Sequence, residues 1–130
     1  MIASRLSLLV LLITSFFLKA SLRIFLSQNL DYWQTGYSFY AKMAANLLEE
    51  GKLYVTGYGL DPLHPFYALR PPLYPLFVAA LAGVTNFSTP VFILAESLIS
   101  TLTVWFVYQI TLKIADSKAA FLSAFFCAFH

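Results

Sequence analysis

The chain has 130 residues, 60% of them hydrophobic, 18% aromatic and only 11% charged. A soluble domain carries about 25% charged residues, so a self-sufficient water-facing globule is excluded and the lipid bilayer is the implied solvent. The net charge of +2 comes from cations scattered without a basic run, which argues against a nucleic-acid partner, and the lone Cys127 excludes an internal disulfide.

In chain order, Leu6–Leu18 is uncharged and apolar, and Ile24, Phe25 and Leu26 continue the run past Lys19 and Arg23. Residues 5–26 are long enough for one transmembrane helix across a hydrocarbon core about 30 Å thick. Lys19 and Arg23 are four apart and share a helix face. They are expected in the outer part of the span, snorkelling toward the headgroups. The competing reading is a cleaved signal peptide, with Arg5 as its basic start and Ala20-Ser21 as a small-residue cleavage site.

Residues 27–71 read as an external loop. Tyr32, Tyr37, Tyr40, Tyr54, Tyr58 and Tyr67 fall there, with Trp33. Within it, Tyr37, Tyr40, Ala41, Ala44, Leu47 and Leu48 recur at helical spacing, which predicts an amphipathic helix over 37–50. Gly51 follows as its C-cap. Gly57, Gly59, Pro62 and Pro65 mark irregular chain. Pro71 and Pro72 open an apolar helix over 71–84. It is too short to span, and suits the membrane surface or a re-entrant position.

Pro90 starts the second span, 90–113, whose only charge is Glu96; Lys113 closes it. Glu96 lies near one end, where a wet or helix N-terminal position lowers its cost. After a turn at Ala115–Ser117, residues 118–130 read as the start of a third span, and the chain as the N-terminal piece of a longer protein. The fold class is therefore all-α: polytopic transmembrane helices, with two juxtamembrane helices in the first external loop. Arg5, Lys113 and Lys118 hug the span ends on one side, whereas Lys42, Lys52 and Arg70 are scattered through the loop, which puts the N-terminus in the cytoplasm and the loop outside a plasma membrane.

A long loop between spans is usually functional. A carboxylate at the membrane surface can act as general base on an acceptor hydroxyl or amine. An arginine can bind phosphate bidentately, and tyrosine faces can meet sugar rings or sit in the headgroup belt. Asp31 is the candidate base. Its structural alternative is to cap the first helix region or pair with Arg23. Arg70 is the candidate phosphate ligand, or else a snorkelling anchor. Tyr40 and Tyr74 are candidate substrate contacts, or else belt and packing residues. His64 has no partner at metal-ligand spacing, and no cofactor is expected; a divalent metal stays open.

The order of motifs carries a resemblance. A helix ending in Arg23 is followed by Asp31-Tyr32-Trp33, then by Tyr40-Ala41-Lys42-Met43-Ala44-Ala45-Asn46-Leu47-Leu48 with Gly51, then by Arg70-Pro71-Pro72-Leu73-Tyr74-Pro75-Leu76. This resembles the start of membrane glycosyltransferases of the C-type superfamily. The branch is similar to dolichyl-phosphate-mannose protein mannosyltransferases and bacterial aminoarabinose transferases. The resemblance implies a polyprenyl-phosphate-linked sugar as donor and an inverting transfer outside the cytoplasm. The acceptor would be a lipid, a glycan or a protein. It implies that Asp31, matching the acid of the family's first external loop, is the catalytic base. Relatives carry that acid closer to the tyrosine helix, often beside a second acid, whereas here Gly36-Tyr37 occupy the nearer positions. This piece alone is expected to be inactive. The alternative is a non-enzymatic polytopic membrane protein, a transporter or lipid-handling subunit.

Overall fold

The computed structural model describes residues 2–29, 38–56, 65–67 and 71–129. The chain divides into two compact units, one of residues 1–26 with 93–130 and one of residues 27–92. Among the described residues the fold is mostly helical, with five helices: α1 (Ile2–Asn29), α2 (Ser38–Glu50), α3 (Leu73–Thr85), α4 (Thr89–Ile114) and α5 (Ser117–Ala128). Between α2 and α3 lie two short strands, β1 (Tyr54–Val55) and β2 (Phe66–Tyr67).

Two helices are long and apolar enough to cross a membrane: α1 over Leu6–Ser27 and α4 over Thr89–Ile114. The 28 residues of α1 rise about 42 Å at 1.5 Å per residue. Lys19 and Arg23 do not interrupt it. Leu6, Leu9, Val10, Ile13, Phe17, Leu22 and Phe25 are all exposed along α1, as are Leu98, Ile99, Leu102, Phe106 and Ile110 along α4. Contiguous apolar surface on this scale is not stable in water.

In the unit holding α1, most of α4 and α5, the core is Leu11, Val104 and Tyr108 with Ala120, Ala124 and Ala128. The alanines repeat every four residues along α5, so the small side chains form one stripe and let the helix approach closely. Helix α5 starts where Asp116 accepts a hydrogen bond from the Ala119 backbone N–H at 2.8 Å. That is an N-cap, and its carboxylate also favours the positive helix end. The sequence pattern alone marks Asp116 only as part of a turn.

In the other unit, α2 packs along α3. Ala44 of α2 meets Val78, Ala79 and Ala82 of α3 and Phe92, with Tyr40, Leu47, Tyr74, Phe77, Leu81 and Phe87 around them. A second cluster joins Phe39 and Met43 of α2 to Val55 of β1. The buried face of α2 is thus Phe39, Met43 and Ala44, whereas the expected face included Leu48, which is 49% exposed. Tyr37, the first residue expected in this helix, lies outside the described residues.

Gly51 ends α2 with φ +70°, and its N–H donates to Leu47 O at 3.0 Å. This is the left-handed C-cap that glycine takes without a Cβ penalty. Strands β1 and β2 then pair antiparallel, Tyr54 opposite Tyr67 and Val55 opposite Phe66. This ladder departs from the all-α expectation, which left the segment irregular. It forms because β1 can bury Val55 completely against Phe39 and Met43. Helix α3 begins at Leu73, after Pro72 in helical geometry, two residues later than expected. Asn86 and Phe87 close it, both with positive φ, 55° and 58°.

Candidate functional site

Of the four residues singled out for chemistry, Asp31 and Arg70 lie outside the described residues. So do Tyr32, Trp33, Tyr58, Asp61 and His64. Tyr40 and Tyr74 are described and are brought together. Their rings meet edge to face, with centroids 4.7 Å apart and planes at 79°. Tyr40 lies on the first turn of α2 and Tyr74 on the first turn of α3, and α2–α3 packing sets their distance. Tyr74 also contacts Phe77 at 5.9 Å, and Phe39 lies 5.9 Å from Tyr40. Both tyrosines are half-buried in this apolar cluster. Their rings pack the module, and the faces left open are what a ligand could meet.

A second aromatic pair lies at the ladder. Tyr54 and Tyr67 face each other across the strands, 5.7 Å apart, and Tyr67 is exposed. The Tyr54 hydroxyl donates to Glu50 Oε1 at 2.7 Å, and Asn46 Nδ2 donates to Tyr54 O at 3.0 Å. The Glu50 carboxylate, by accepting that hydrogen bond, holds the Tyr54 phenol above its ordinary ionisation range. The sequence marks Tyr54 only as one of the loop tyrosines, and the four-residue spacing from Glu50 is the signal for this bond.

The other unit holds a polar seam inside its apolar helices. Arg23 Nη1 bonds Glu96 Oε2 at 2.9 Å, with side-chain exposures of 37% and 11%. Lys19 Nζ donates to Ser100 Oγ at 2.7 Å. Four residues back along α1 correspond to four residues forward along α4, the mark of antiparallel helices in one register. Ser15 and Ser97 are completely buried nearby in sequence, one turn from Lys19 and one residue from Glu96, and their hydroxyls bond no group among the described residues. Their small size suits the close approach of helices.

This seam corrects one expectation and adds a partner to another. Arg23, expected to snorkel, pairs sideways with Glu96. Glu96 is not simply a wet group near a helix end, because an opposite charge holds it. The signal for the seam was the four-residue spacing of Ser15, Lys19 and Arg23. The partners lie more than seventy residues away, and only the helix register identifies them.

No family model, curated protein or solved structure matches the chain. Among the described residues, no group of three or more His, Cys, Asp or Glu side chains comes together to hold a metal.

Proposed function

We propose that α1 and α4 cross a plasma membrane and that residues 27–92 form the first external module of a glycosyltransferase using a polyprenyl-phosphate-linked sugar. The observation that carries this reading is the division of the chain into two bilayer-length apolar helices and a separately packed, tyrosine-rich module between them in sequence. The motif order from Asp31 to Leu76 adds the chemistry. Asp31 deprotonates the acceptor, Arg70 steadies the donor phosphate, and the Tyr40–Tyr74 pair offers an aromatic edge to the substrate. Helix α3 suits the membrane surface. Its 13 residues reach only about 20 Å, and Leu73, Leu76 and Val84 are exposed and apolar.

The test is sugar transfer in native membranes. Asp31→Asn should lower transfer by about 10²-fold or more, as for loss of a general base, with no change in membrane insertion. Arg70→Ala should raise the donor concentration needed. Retained transfer in Asp31→Asn removes Asp31 from the role.

The Arg23–Glu96 pair supports a second reading, a non-enzymatic polytopic protein, because charges inside spans mark ion and substrate pathways. Under that reading Asp31→Asn and Arg70→Ala are silent, and Arg23→Leu or Glu96→Leu abolishes function.

A further inference from the structure

The seam between α1 and α4 is not electrically balanced. Arg23 and Glu96 neutralise each other. Lys19 bonds the neutral Ser100 hydroxyl, and no carboxylate meets its ammonium among the described residues. An ammonium has three protons to donate, and Ser100 takes one.

The depth of Lys19 makes this costly. It stands eight residues from the Ser27 end of the apolar stretch Leu6–Ser27, about 12 Å along the axis, and farther from the other end. Its side chain turns sideways to Ser100, which lies near the middle of α4. Beside it is an open hollow of about 500 Å³, lined by Lys19, Ser100, Thr103, Phe126 and Cys127. The Thr103 hydroxyl is turned back to Ile99 O at 3.0 Å. The hollow therefore presents a cation and its serine, beside the Cys127 thiol and the Phe126 ring. Phe126 on its rim is 71% exposed.

We propose that this hollow receives a partner transmembrane helix carrying an aspartate or glutamate at mid-membrane depth, whose carboxylate pairs with Lys19. The proposal rests on the reading that α1 and α4 span the membrane. Charge complementarity calls for an anion, and depth selects its kind. A lipid phosphate would have to leave the headgroup layer, whereas a carboxylate on a spanning helix is delivered at that level by the helix itself. A second copy of these residues does not serve. The only acid within their apolar spans is Glu96, which lies one turn from the level of Lys19 and is engaged by Arg23. The exposed apolar side chains of Leu122, Phe125 and Phe126 give such a helix a surface to pack on.

A photoreactive amino acid at Phe126, activated in native membranes, tests this. The expected cross-linked peptide is an apolar segment of membrane-spanning length containing Asp or Glu. Its yield should fall roughly tenfold or more in Lys19→Met, as for loss of one partner of a buried charge pair, and persist in Lys19→Arg. Converting the partner's acid to its amide should give the same loss, with no further loss in Lys19→Met. Cross-links to lipid alone, to a segment without an acid, or at a yield indifferent to Lys19→Met overturn the pairing. Alkaline extraction separates the two readings. A protein released from the membrane overturns the spanning assignment and the pairing with it. A retained protein that captures only lipid overturns the pairing alone.

Discussion

At the scale of single residues, the Arg23–Glu96 pair is the most consequential contact. Removing one partner of a buried pair strands the other charge, which costs more than losing both. The two halves are not equivalent, since Glu96 is only 11% exposed and Arg23 37%. Arg23→Leu strands the deeper charge and should cost about 3 kcal/mol in reversible unfolding from mixed micelles, Glu96→Leu about 2 kcal/mol, and the double variant less than either. Strict additivity would show that the ions do not depend on each other. The Tyr54–Glu50 bond makes a second residue-scale prediction. The phenol is held above the ordinary 10.0 because the neutral hydroxyl donates to a carboxylate, so the protonated form is favoured in the folded chain. That stabilisation is complete below the ordinary phenol range and is lost as pH rises through the elevated folded value. Glu50→Gln should bring the Tyr54 ionisation, followed by NMR, back toward 10.0. An unchanged titration would assign the shift to another cause. Sequence spacing was enough to set Lys19 and Arg23 on one helix face. It could not name Glu96 and Ser100, because partners across two helices depend on a register that no local pattern encodes.

At the scale of elements, the helices were legible and the ladder was not. Apolar runs and the proline and glycine punctuation around them located all five helices to within a few residues, because those signals act locally. The two-residue strands β1 and β2 carry no alternating pattern long enough to read, and their pairing rests on burying Val55 against α2. The α2 face was legible in part, since Tyr40, Ala44 and Leu47 pack as expected, and Leu48 departs for a related reason. Leu48 and Met43 are both apolar, and only the position of β1 and α3 decides that Met43 is completely buried while Leu48 is exposed. The α2–α3 contact relies on small side chains, with Ala44 at 0%, Ala79 at 4% and Ala82 at 3% exposure. Ala82→Leu should therefore force the helices apart and cost about 1–3 kcal/mol by overpacking. Val84→Ala, on the exposed side of the same helix, should stay within about 0.5 kcal/mol. Equal effects in an unfolding assay would mean that α3 does not pack on α2 through its alanine face.

At the scale of the whole molecule, the proposed topology has consequences that do not depend on the chemistry. With α1 and α4 each crossing once, the chain before α1 and the turn between α4 and α5 share one side, and the module in residues 27–92 faces the other. Cations near span ends favour the cytoplasm, and Lys113 and Lys118 flank that turn closely, while Lys42, Lys52 and Arg70 are dispersed along the sequence of residues 27–92. In a Cys127→Ser background, Lys52→Cys should react with a membrane-impermeant maleimide in intact cells. Ala115→Cys, exposed in the turn between α4 and α5, should react only after permeabilisation. Reaction of both from outside would mean that α4 does not cross, and the opposite pattern would invert the orientation. The charge argument can be separated from the span argument in the same assay. Changing Lys113 and Lys118 to glutamate leaves both apolar stretches intact and removes the cations beside α4. A growing fraction of molecules should then expose position 115 outside. If the labelling pattern is indifferent to those two lysines, Arg5 or residues beyond these two helices set the orientation.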